Sequence, residues 1–268
     1  MPLSALGLAL AAAVLHAGWN VLLRGSTDVA ARTVAVLVVS VVLFAPAAAA
    51  TWRVDAAAVP YIAASAVLES VYFVLLVGAY RLRELSVVYP VARGSAPAFV
   101  LAGTALVLQR SVSSAQVAGV LLVAFGVMLV RGLRRGAEGI GIGLAIGVAI
   151  AAYTLVDKEG LRHAAPIPYL ELVLAPIAVV ALLWRGTAPL RAQASWSTLG
   201  AAVGSFGAYV LFLFALRLTA APGVAAVRET SVVIGVLLAA AFLGERVTWP
   251  RLCGAAVVAA GVAILAAA

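Results

Sequence analysis

Two arginines interrupt stretches that otherwise read as lipid-soluble helix: Arg93 in YPVARGSAP (89–97) and Arg228 in VAAVRETSVV (224–233). A charge at the centre of a bilayer costs about 2.5–3.5 kcal/mol on insertion scales, so each needs a cavity, a counter-charge or a ligand. A guanidinium offers a planar fork of N–H donors that fits a carboxylate or phosphonate. Two of them would clamp a small anion; the alternative is that each pairs with a buried acid and only locks helices. Glu69 lies thirteen residues into its own apolar run, at a depth where an Arg93–Glu69 ion pair is expected. It is also the candidate proton carrier, because a buried carboxyl can exist in its neutral form. Glu229, directly after Arg228, is the second candidate acid.

Four uncharged or weakly charged side chains are expected to border the same cavity. His16 and Asn20 are four apart and share a helix face; Tyr72 is three after Glu69, and Tyr89 is four before Arg93. For His16 the alternative is a hydrogen bond to another helix, and for the tyrosines it is aromatic packing. Asp157, Lys158 and Glu159 read as a solvated helix end, and Glu171 as an interfacial residue. The pattern calls for no metal ion and no cofactor, and it holds no GxxxxGK[ST] phosphate loop.

The elements that position these residues follow from composition. The chain has 268 residues, of which 65% are hydrophobic and only 10% charged, against about 25% charged in globular domains. Mean hydropathy is +1.17. A soluble fold could not hide so much apolar surface, so the chain reads as an all-α polytopic membrane protein. The net charge of +8 is spread singly between apolar runs, which argues for membrane-flanking anchors and against nucleic acid. Lys158 is the sole lysine among 18 basic residues, a bias that with abundant Ala, Val and Gly points to a high-GC bacterial genome and a bacterial cytoplasmic membrane. The single Cys253 permits no intramolecular disulfide. The first run lacks a basic n-region and reads as a retained helix.

Ten runs approach the roughly 20 residues needed to span the hydrocarbon layer: 3–23, 30–51, 56–80, 85–108, 115–131, 139–156, 168–184, 197–217, 220–243 and 248–268. The halves resemble each other. At an offset of 135, Arg93 falls on Arg228, Gly119 on Gly254 and Gly126 on Gly261, whereas the position matching Glu69 is Gly204. Five helices per half is an odd number, so residues 1–135 and 136–268 are expected to form two repeats of inverted topology, with substrate near the midplane. Arg93 and Arg228 each lie eight residues into their run, about 12 Å deep from opposite faces. Glycines at 139, 143 and 147, at 200 and 204, and at seven-residue spacing in the fifth and tenth runs mark close helix packing. Loops opposite the termini hold eleven basic residues (24, 32, 81, 83, 131, 134, 135, 185, 191, 246 and 251) against five on the other side, which places both termini outside.

The run FLGERVTWPRLCGAAVVAAGV (242–262) and its counterpart VLQRSVSSAQVAGVLLVAFGV (107–127) resemble the EamA-type members of the drug/metabolite transporter superfamily. HAGWN (16–20), YPVARGSAP, YTLVDKEG (153–160) and VRETS (227–231) resemble a subgroup of membrane proteins associated with phosphonate-utilisation gene clusters. Gln109 departs from the acidic residue that often ends the fourth helix, a position matched by Glu245 in the second half. The resemblance implies secondary transport of small metabolites without ATP. Combined with the arginines, the expected function is alternating-access transport of a small anionic or zwitterionic metabolite, with protons as candidate coupling ion. A flippase for a lipid-linked metabolite shares the architecture. An intramembrane enzyme would want an Asp-rich metal cluster or a serine–histidine pair, and RGSAP supplies neither.

Overall fold

In a bilayer every backbone N–H and C=O must be satisfied within the segment, so long apolar runs become helices. The computed structural model describes residues 1–24, 28–81, 85–131, 139–243 and 248–268. Among them are helices α1 (Leu3–Arg24), α2 (Val29–Ala50), α3 (Val59–Arg81), α4 (Leu85–Ala102), α5 (Ser114–Arg131), α6 (Ile140–Gly160) and α7 (Pro166–Arg185). They continue with a short α8 (Ala188–Ala192), α9 (Trp196–Leu218), α10 (Ala221–Arg228), α11 (Thr230–Leu243) and α12 (Trp249–Ala267). Nine spans among the described residues are long and apolar enough to cross a membrane, and Ser114–Val130 is a shorter apolar helix. No strand forms among these residues; Val54 and Ala164 make only an isolated antiparallel bridge. The protein is an all-α, multi-pass membrane protein. Arg83, Arg134, Arg135, Glu245 and Arg246, used in the charge count and the family comparison, lie outside the described residues.

Side chains sort as the membrane requires. Leu183, Val42 and Val74 point outward, and Trp52, Trp184, Trp196 and Trp249 stand exposed near helix ends, where amphipathic indoles favour the headgroup region. The main packing partners cross between the two halves of the chain: α1 packs on α9 and α11, α6 on α3 and α4, α5 on α12, and α2 on α7.

The α5–α12 contact is the tightest use of glycine. A Cβ on Gly126 would lie 2.8 Å from Val258 N and 2.9 Å from Gly254 O, and one on Gly261 would lie 2.8 Å from Gly119 O. Only glycine admits backbones this close. Gly143 and Gly147 seat α6 on Val91 and Ser95 of α4 in the same way, whereas Gly139 caps α6 at φ +88° instead of packing.

α4 runs through Pro90 and Pro97 and ends in a π-helical turn, Gly103–Val107. A break falls in the ninth run, at Glu229. There the Glu229 N–H donates to Ala226 O and the Val232 N–H to Glu229 O, both at 3.0 Å. These three-residue bonds tighten the chain and re-aim it, while Thr230 Oγ1 donates to the freed Val227 carbonyl at 2.8 Å.

Candidate functional site

Inside the bundle the polar side chains gather into two groups. In the first, Arg93 of α4 reaches across to the break between α10 and α11. Its Nη1 donates to Glu229 Oε1 at 3.1 Å, its Nη2 contacts His16 Nε2 of α1, and its Nε donates to Tyr89 Oη at 3.4 Å. Arg93 and Glu229 are 7% and 2% exposed, so this is a buried, hydrogen-bonded ion pair. Glu229 makes this contact from the one-residue interruption between α10 and α11. The expected Arg93–Glu69 pair does not form: Arg93 takes the other acid, which lies closer across the helix interface.

Glu69 belongs to the second group. Tyr209 Oη of α9 lies 2.5 Å from Glu69 Oε1 and 2.8 Å from Asp157 Oδ2. Asp157 Oδ1 also accepts from Ser65 Oγ at 2.6 Å and from Tyr169 Oη at 3.0 Å. Asp157 is therefore no solvated cap. It is 1% exposed and held by α3, α7 and α9, because α6 continues to Gly160 and keeps this turn inside the bundle. Glu171, in the second turn of α7, is also buried within the protein, at 8% exposure. Lys158, by contrast, does close a helix end: its Nζ donates to Leu216 O and Thr219 O of the α9 terminus at 2.5 and 3.0 Å.

Arg228 lies between the groups. Its guanidinium carbon stacks 4.4 Å from the Phe212 ring centroid and 5.3 Å from that of Tyr209. It is close enough to act electrostatically on His16, Glu69 and Asp157. It is 8% exposed, its Nε has no hydrogen-bond partner, and no carboxylate stands at ion-pair distance from it among the described residues. Cation–π contact replaces part of its hydration, but its Nε is left without an acceptor.

Of the remaining candidates, Tyr72 sits edge-on to Tyr153 and Phe73, at 6.1 and 5.3 Å between ring centroids. Asn20 Nδ2 donates back to the His16 carbonyl of its own helix at 2.7 Å. Trp19 packs edge-on to His16 at 5.3 Å, with its buried Nε1 lacking a partner.

This fold recurs in a solved crystal structure that superposes with a TM-score of 0.77 over 98% of this chain and 96% of its own, at 15% identity. No curated protein matches. Residues 138–267 match the EamA-like transporter family. The chain carries an EamA-like transporter domain. That family consists of membrane transporters of small molecules.

Sequence reading missed Asp157, Tyr209, Ser65 and Tyr169. One signal was available: Ser65, Glu69 and Tyr72 follow helical spacing and form a polar stripe on α3, which predicts polar partners on whatever packs there. Which helices those would be is a tertiary matter.

Proposed function

We propose that the protein is a secondary active transporter of a small anionic or zwitterionic metabolite in a bacterial cytoplasmic membrane, and that the anionic group docks on Arg228. One observation carries this reading: a guanidinium over nine-tenths buried in an apolar bundle, whose Nε has no hydrogen-bond partner and which has no carboxylate at ion-pair distance among the described residues. A buried charge without an ion-pair partner is unfavourable, so a binding anion gains an interaction that no described residue supplies. Arg93 forms the second jaw of the clamp, shared with Glu229, and His16, Tyr89 and Tyr72 line the space around it. Asn20 orients the His16 turn.

Two inverted repeats, 1–135 and 136–268, are part of this proposal. Exchange of the halves would turn the α1–α9 contact into α6–α3 and the α1–α11 contact into α6–α4, and both are present. The α2–α7 and α5–α12 pairs map onto themselves, and the latter unites glycines from corresponding positions, Gly119 against Gly261 and Gly126 against Gly254. Among the described residues, polar ties between the halves include Arg110 to Glu159 at 2.7 Å, Asp55 N–H to His163 O at 2.9 Å and the amino terminus to the Ala266 carbonyl at 3.3 Å on the face holding the amino terminus, and Arg32 to Gln193 at 3.1 Å on the other.

The test is a thermal-stabilisation screen of the purified protein against amino acids, phosphonates and sugar phosphates, followed by titration of the best ligand. Arg228→Lys keeps the charge but loses the planar fork. It should weaken that ligand at least about tenfold, equivalent to about 1.4 kcal/mol, in a protein that still folds. Wild-type affinity in folded Arg228→Lys and Arg93→Lys variants would make both arginines helix locks and end the proposal.

A further inference from the structure

Glu69 and Asp157 are 3% and 1% exposed, and neither has a lysine or arginine at ion-pair distance among the described residues. Both instead contact one atom, Tyr209 Oη, at 2.5 and 2.8 Å. A phenol carries a single proton and can donate it to only one of them. The second contact is a hydrogen bond only if that carboxyl carries its own proton and donates it to the Tyr209 oxygen. Were both acids ionised, a carboxylate oxygen would face a phenol lone pair at hydrogen-bond distance in a water-poor interior, which is repulsive and uncompensated. Ser65 and Tyr169 both donate to Asp157 Oδ1 and leave the Oδ2 contact with Tyr209 unexplained. Counting hydrogens therefore places one proton on the Glu69–Asp157 pair.

A second observation stands apart from this count. Arg228, with its Nε unpartnered, lies over the ring of the same tyrosine. The groups facing the carboxyl pair are Ser65 and Tyr72 on α3, Tyr153 on α6, Tyr169 on α7, Tyr209 on α9 and Arg228 on α10. Arg93, with Tyr89 and His16, is taken up by Glu229.

We infer that Glu69, Tyr209 and Asp157 form a proton-binding site, in which the carboxyl pair holds one exchangeable proton and Tyr209 sets it against the charge of Arg228. With one proton the pair carries a single negative charge, opposite the single positive charge of Arg228. An anion docked on Arg228 neutralises that cation, and the pair then gains by taking a second proton from solvent. Anion and proton thus bind together and leave together, each favouring the other by the same factor. This coupling rests on the anion reading of Arg228; the proton site does not.

Infrared spectra of the reconstituted full-length protein at neutral pH, without substrate, test the site directly. The wild type should show a protonated-carboxyl carbonyl band that bleaches as pH rises and is absent from both Glu69→Gln and Asp157→Asn. Glu171→Gln, which removes a buried carboxyl outside the pair, should leave it in place. Tyr209→Phe preserves the packing and should shift the band by removing its hydrogen-bond hub, so the test holds even if an acid variant fails to fold. A wild-type spectrum without the band, or a band that persists in Glu69→Gln and Asp157→Asn alike, overturns the proton site. For the coupling, Arg228→Gln should let the band survive to higher pH, while Arg228→Lys keeps it near wild type. An unmoved titration in Arg228→Gln overturns the coupling alone. Failure of every anion to bind a wild type that shows the band overturns only the reading of Arg228.

Discussion

Arg93 and Arg228 stand 135 residues apart, are 7% and 8% exposed, and follow similar stretches of sequence, yet the bundle treats them differently. Arg93 has a carboxylate, an imidazole and a phenol around it. Arg228 has two aromatic faces. The difference originates one residue further along. Glu229 follows Arg228, whereas Gly94 follows Arg93, and the helix breaks at Glu229 but continues through Gly94. A Cβ at 94 would lie 2.9 Å from Met128 Cγ and 3.2 Å from Ala124 O, a tight seat that suits glycine. One half of the chain thus lends its acid to the arginine of the other and receives none back. Sequence symmetry at the arginines coexists with chemical asymmetry around them, and the asymmetry leaves one cation available.

The comparison breaks most visibly through stability. Removing one member of a buried ion pair strands the other, so Arg93→Ala or Glu229→Ala alone should lower unfolding free energy by about 3–5 kcal/mol. The double variant Arg93→Met/Glu229→Leu should recover most of it. Chemical denaturation in detergent measures both, and an unaffected single variant would mean that the pair is hydrated and not the lock described here. Arg228→Met should do the opposite. With no carboxylate at ion-pair distance to strand, and with the Glu69–Asp157 pair able to take up a second proton, its stability should stay within about 1 kcal/mol of wild type, while anion binding falls at least about tenfold, as for Arg228→Lys. A large stability loss in Arg228→Met would give the two arginines the same structural role.

Two cations outside the central groups calibrate the scale. Lys158→Met removes the donor that closes the α9 end, with an expected loss of about 1 kcal/mol, read in the same denaturation assay. Arg162→Ala removes a largely exposed partner of Glu159 at 3.1 Å. Such a pair contributes a few tenths of a kcal/mol and is screened by salt, so its effect should vanish at high ionic strength. If Arg162→Ala matched Arg93→Ala, burial would not be what separates these sites.

Composition alone dictated that the chain crosses the membrane repeatedly as helices, because its apolar runs have the length of a bilayer and leave no other way to satisfy the backbone. Spacing alone marked Gly119 and Gly126 on one face of the fifth run, and Gly254 and Gly261 on one face of the tenth, as close-packing positions, and singled out Arg93, Arg228, Glu69 and Glu229 as charges requiring an explanation. What it could not supply was pairing. Whether Arg93 meets Glu69 or Glu229 depends on which turn of one helix faces which turn of another, and helices of this composition offer nearly uniform apolar faces. Asp157 looked like a helix end because three charged residues follow one another; its burial depends on α3, α7 and α9 closing over it. Tyr209 carries no signal of its own in GAYVLF, and only the convergence of α3, α6 and α9 places one phenol between two carboxyls. Periodicity along a chain fixes depth and face, but a hydrogen bond between helices needs their relative rotation as well, and only the packed bundle decides that.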